Sequence, residues 1–156
     1  MEGYRLAGSI ARESGMQYNT FNKFYLTNEE VLNMCKVTSF VIDGRTIHMA
    51  DIKQKYVGNI IDAAQKCDYI DKIILFGSSL ENRCRDDSDI DLAIFGNQPE
   101  GKCLTSKKYK NFARQLSSYD DFNQNYDLLY FKTGKKYSGM IMNHIMEGEI
   151  LYERQS

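Results

Sequence analysis

The chain has 156 residues, of which 42% are hydrophobic and 26% charged, with 20 basic and 21 acidic side chains. That is enough for one domain with a real core and short for two. The near balance of charge removes any global field that would argue for a nucleic acid or a membrane surface as partner. No apolar run approaches the roughly 20 residues that span a bilayer. Met1-Glu2-Gly3-Tyr4-Arg5 opens without the apolar stretch of a signal peptide, so the cytoplasm is the expected compartment.

Residues 1–25 show no clear period and read as loop-rich. Thr27-Asn28-Glu29-Glu30 has the pattern of a capping box and predicts a short helix running through Val31, Leu32 and Met34-Cys35. Val37–Ile42 and Arg45–Met49 are two β-rich runs joined by Asp43-Gly44, a strong signal for a two-residue hairpin turn. Helix and hairpin together make an N-terminal accessory portion over residues 1–50, expected to pack on the main domain at 51–156.

From Asp51 to about Cys67, apolar residues at Ile52, Tyr56, Val57, Ile60, Ile61 and Ala64 have the spacing of an amphipathic helix. Strands are predicted at Lys72–Phe76, Asp89–Phe95 and Asn125–Phe131. Helices follow at Thr105 to about Leu116 and Lys136–Glu147, and a last short strand at Glu149–Tyr152. Alternation of helices and strands from residue 51 onward indicates an α/β (α+β) domain with a mixed sheet flanked by helices.

Cysteines stand at 35, 67, 84 and 103, too scattered for a zinc site, a redox pair or a disulfide framework, and are expected as reduced thiols. Cys84 lies in a loop and is expected to be exposed, with no histidine base nearby. His48 and His144 are isolated and read as packing or surface residues. Lys102, Lys107, Lys108, Lys110 and Arg114 form the densest basic stretch, read as a solvated helix face or as a rim for phosphates or an acidic partner. The eleven tyrosines are core or interface material.

The chemistry concentrates in Gly77-Ser78, ten residues, then Asp89-Ile90-Asp91, set between Ile73-Ile74-Leu75-Phe76 and Leu92-Ala93-Ile94-Phe95. A glycine-serine turn leaving a buried strand offers backbone N–H groups, and Ser78 its hydroxyl, to a phosphate. Aspartates two apart on a strand point to one face. The end of the first strand meets the start of the second only if the two are antiparallel, and a link of about a dozen residues permits this. Asp127, near the start of its own strand, joins Asp89 and Asp91 if that strand runs parallel to the second. Three converging carboxylates raise each other's pKa unless cations neutralise them. Two Mg²⁺ ions roughly 3.5–4 Å apart would do so and would support in-line phosphoryl chemistry. Either motif alone is often only a turn or a solvated strand edge; their combination makes a candidate nucleotidyl-transfer site.

The residues Leu75-Phe76-Gly77-Ser78 through Ser88-Asp89-Ile90-Asp91-Leu92 resemble the nucleotidyltransferase superfamily with the DNA polymerase beta-like fold, most closely its minimal nucleotidyltransferase (MNT) group. The likeness covers roughly residues 51–153. It implies Asp89, Asp91 and Asp127 as catalytic metal ligands, and Gly77 and Ser78, with Ser88 alongside, at the nucleotide. It further implies ATP or another NTP as substrate, two Mg²⁺ ions, and AMP transfer to a hydroxyl on a HEPN-type toxin, with the chain as antitoxin. In the common family pattern Gly-Ser is followed by Arg, a small residue, Arg and Gly, whereas Ser79, Leu80, Glu81 and Asn82 stand here. A left-handed backbone at Asn82 would replace the glycine, and Arg83 and Arg85 would replace the arginines. Aminoglycoside-like small-molecule transfer and a non-catalytic antitoxin acting by binding are the alternatives. Relatives of the first kind usually carry a larger helical domain after the motif, and the stretch after Asp127 leaves little material for one. Neither a membrane nor a specific nucleic acid is expected as partner.

Overall fold

The computed structural model describes residues 35–156 throughout, together with two short strands, β1 (Tyr18–Asn19) and β2 (Phe24–Tyr25), which pair antiparallel. The helix expected over Thr27–Cys35 lies almost entirely outside the described residues. Cys35–Ser156 form one compact unit. The hairpin of β3 (Val37–Ile42) and β4 (Arg45–Ala50) is part of that unit, with Asp43 and Gly44 at its turn, both at positive φ. Ile47 and Met49 of β4 enter the main core. The hairpin is also tied to the C-terminal strand by His48–Glu149 at 3.3 Å and Arg45–Glu153 at 3.6 Å.

A 3₁₀ turn over Asp51–Tyr56 leads into α1 (Val57–Gln65) where sequence periodicity predicts one continuous helix. The start has no side-chain cap, so the first turn tightens to i→i+3 bonding. The sheet follows: β5 (Ile70–Phe76), β6 (Ile90–Gly96), β7 (Tyr126–Lys132) and β8 (Glu149–Glu153), in the order β7-β6-β5-β8. β5 pairs antiparallel with β6 and β8, and β6 pairs parallel with β7. This is the mixed sheet, with the strand directions, that bringing the motif together requires.

The helix expected from Thr105 to about Leu116 is α3 (Lys107–Ser118), and a further helix, α2 (Glu100–Thr105), forms where Pro99 and Gly101 suggest a loop. Ser106 interrupts the run: its extended backbone ends α2 and its hydroxyl accepts from the Tyr109 N–H at 3.1 Å, capping α3. The last helix, α4, spans only Met140–Met146 rather than 136–147. Tyr137 is held outside it, because its hydroxyl accepts from the Lys132 N–H at 2.8 Å and its ring packs edge-on against Phe131 at 4.9 Å. Gly139, at φ 116°, then turns the chain into the helix.

Strand alternation divides the core. Ile73, Leu75, Ile90, Leu92 and Ile94 face α1 and α3, forming the main cluster with Ile60 and Leu116. The opposite face carries Ile74, Phe76 and Ala93 under Met142 and Ile145 of α4. Burying one such aliphatic side chain contributes about 1.5–3 kcal/mol, so the main cluster dominates stability. The short α4 leaves Phe95, Leu129 and Phe131 only half-buried. Among the described residues, no helix is long and apolar enough to cross a membrane.

Candidate active site

The sheet register puts the site together. Phe76 is opposite Asp91 across the antiparallel pair, and Asp91 is opposite Asp127 across the parallel pair. Asp91 and Asp127 therefore occupy neighbouring positions on the face that carries α4, about 4.8 Å apart at the backbone. Asp89 sits one residue before β6, exposed in the lead-in rather than in the strand. Asp91 is half-buried and Asp127 exposed.

Gly77 follows Phe76 at φ 79° and lies directly against the Asp91 carboxylate. A Cβ at this position would collide with Oδ2 of Asp91 and come within 3.1 Å of its Cγ. Only glycine allows both the left-handed backbone and this approach. Gly77–Leu80 form a single 3₁₀ turn, too short to carry a helix macrodipole, so what it offers a phosphate is its local N–H groups. Ser78 is half-buried, and Ser79 is fully buried with no hydrogen-bond partner for its hydroxyl.

Burial, then Asp127, then Asp89 push the Asp91 carboxyl above the ordinary aspartate range. Among the described residues, no three His, Cys, Asp or Glu side chains are gathered closely enough to form a ready metal cage. The carboxylates thus feel one another's charge without closing into a ligand set. Their chemistry still fits Mg²⁺, a hard ion that keeps waters and substrate phosphate oxygens and needs only one or two protein carboxylates.

The loop between β5 and β6 departs from several expectations. Asn82 is not among the described non-glycine residues at positive φ; its amide oxygen instead accepts from the Val37 N–H at 3.2 Å. Cys84 is buried, not exposed, packed with Cys35 and Ala50, and burial pushes its thiol up. All four cysteines are free and buried. Arg83 pairs with Glu81 and Arg85 approaches Asp87 at 3.7 Å, both guanidinium groups lying in solvent. Ser88 serves the loop itself: its hydroxyl accepts from the Arg85 N–H at 3.0 Å. The structure therefore brings Gly77, Asp91 and Asp127 together, with Ser78 and Asp89 adjoining, and turns Arg85 and the Ser88 hydroxyl to other uses.

Two residues without any motif hold this edge in place. Lys53, only 1% exposed, donates to the carbonyls of Asp86 at 2.9 Å and Ser88 at 2.8 Å and to Oε1 of Gln124 at 2.6 Å. All three ammonium donors are satisfied. Gln124, also buried, donates in turn to the carbonyls of Ser88 at 3.0 Å and Asn125 at 2.7 Å. The Ile90 N–H donates to the Asn125 carbonyl at 3.0 Å. The backbone leading into Asp89 is thereby fastened to the backbone leading into Asp127. The sequence signal was a lysine on the apolar stripe of Tyr56, Val57 and Ile60.

The family model described as "Polymerase beta, Nucleotidyltransferase" matches residues 58–156, and the chain belongs to that family. No curated protein matches the chain.

Two outcomes follow for the metal-free protein. A carboxyl whose folded pKa is raised costs no stability below its unfolded pKa, and its cost grows as pH rises toward the folded value. Asp91→Asn should therefore raise the melting temperature at neutral pH, with the gain vanishing near pH 4; equal melting curves at both pH values would refute the crowding. Lys53→Met should lower the unfolding free energy by about 1–3 kcal/mol and speed amide exchange at Ile90. An unchanged urea midpoint would show that the lysine holds nothing.

Proposed function

We propose that this protein transfers a nucleoside monophosphate, AMP from ATP, to a hydroxyl on a partner protein, using Asp89, Asp91 and Asp127. The observation that carries this reading is the register of Phe76, Asp91 and Asp127, with Gly77 against Asp91, in a chain of a nucleotidyltransferase family.

Mg²⁺ held by these carboxylates would neutralise phosphate charge and lower the pKa of the attacking hydroxyl. The chain's own contributions follow from position. N–H groups at Gly77-Ser78 and the Ser78 hydroxyl orient the phosphates beside the carboxylate row. The acceptor oxygen forms its bond to the α-phosphorus, the bond to the β-phosphate oxygen breaks, and pyrophosphate leaves. Asp127, exposed on the edge strand, takes the hydroxyl proton in this reading. Arg83 and Arg85 can reach phosphates only by leaving their present carboxylate partners. Exposed pairs of this kind are worth about 0–1 kcal/mol, so little opposes that movement.

The MNT-like spacing supports a HEPN-type toxin as acceptor, with the chain as a cytoplasmic antitoxin. The test is incubation with α-labelled ATP, Mg²⁺ and the product of the neighbouring gene. Label should appear on that protein and fall to background with the Asp89→Asn, Asp91→Asn double variant. Tight complex formation without label would point instead to neutralisation by binding, and label on an aminoglycoside to small-molecule transfer.

A further inference from the structure

The face that carries Asp91 and Asp127 continues along the sheet in registered rows. Two residues beyond the carboxylates come Ala93 and Leu129, and two further come Phe95 and Phe131, with Lys72 beside Phe95 on β5. At about 3.3 Å per residue, the aromatic row lies about 13 Å from the carboxylate row. A cleft of about 460 Å³ opens there. Its floor is apolar, made by Phe95, Tyr137, Met142 and Met146, and Lys72, Lys132 and Lys135 rim it.

The charges around this cleft are unevenly committed. Asp71 accepts from Thr133 at 2.7 Å and Asn97 at 3.0 Å and faces Arg154 at 3.8 Å. Glu153 is turned to Arg45. Arg154 donates to the carbonyls of Cys67 and Ile70. Among the described residues, none of the three lysines pairs with a carboxylate. Lys72 and Lys135 lie over the rings of Phe95 and Tyr137 at 5.1 and 5.5 Å, and Lys132 reaches only the Thr133 carbonyl at 3.3 Å. An apolar floor under three uncommitted cations is complementary to a ligand that is both acidic and apolar.

We propose that this cleft docks the acceptor protein through a segment that bears acidic residues beside apolar ones. The proposal rests on the transfer reading above and adds the acceptor's chemistry to it. Between the two rows the sheet is covered by α4, with Ile74 and Ala93 buried beneath it, so the docked segment reaches the carboxylate row around that helix. A triphosphate is a poorer occupant, because the rim offers separate ammonium charges and its one arginine is engaged with carbonyls.

The test uses a fluorescein-labelled peptide, Tyr-Ala-Leu-Ala-Glu-Glu, and its Gln-Gln analogue, with the full chain free of metal and nucleotide. Anisotropy should show binding of the acidic peptide, at least about tenfold weaker for the analogue and for Lys132→Glu with Lys135→Glu. Lys132→Arg with Lys135→Arg should retain it. In transfer to the protein acceptor, the double glutamate variant should raise KM at least about tenfold with kcat unchanged. Equal binding of the two peptides, an unchanged KM, or displacement of the acidic peptide by ATP alone would overturn the proposal. Failure of the wild-type protein to label any acceptor, with peptide binding intact, would instead sink the transfer reading and leave a docking cleft without it.

Discussion

The constraint on which the rest depends is the crowding of carboxylates at one edge of the sheet. Asp91 and Asp127 are locked into neighbouring positions by the β6–β7 register, and Asp91 is pressed against Gly77 by the β5–β6 register. Neither aspartate can relax away without breaking the ladder that forms the core. The price is an Asp91 held above its ordinary range by burial and by its two acidic neighbours. Folding alone gives no return on that arrangement; a cation and a polyphosphate would.

Holding such an edge requires rigidity where the chain is least regular. The link between β5 and β6 has no strand and only one 3₁₀ turn, yet it must deliver Asp89 and Asp91 in register with Asp127. Lys53 and Gln124 supply this from below, replacing a hydrophobic contact by a buried, fully bonded ammonium. From the side, Cys35 and Val37 bind the carbonyls and amide of Glu81 and Asn82. The hairpin is thereby a brace for the loop as well as an addition to the core.

The sheet was legible because its strands are long, β-branched and bounded by turn residues, and because the motif makes chemical sense only with antiparallel β5–β6 and parallel β6–β7. Helix ends were less legible where a side chain decided them. Ser106 sets the start of α3 by capping it, behind a helix over Glu100–Thr105 where Pro99 and Gly101 suggest a loop, and Tyr137 delays another by packing on Phe131. At the site, the pairing of Asp91 with Asp127 was readable from the strand directions the motif requires, whereas Asp89 falls just before β6 rather than within it. The side-chain fates of the loop were not: Asn82, Cys84 and Ser88 spend their polar atoms on the loop and hairpin, which short-range spacing does not encode. Lys53 was hidden because a lysine on a helix reads as solvated unless its three acceptors, distant in sequence, are known.

The central claim is that the Asp91–Asp127 row beside Gly77 is where a metal-bound nucleotide sits. Crystals grown with Mn²⁺ and a non-hydrolysable ATP analogue test it through anomalous scattering. The account predicts manganese peaks within bonding distance of Asp91 and Asp127, with the phosphates against Gly77 and Ser78. An ordered nucleotide bound elsewhere, or manganese absent from this row while the nucleotide is present, would contradict it.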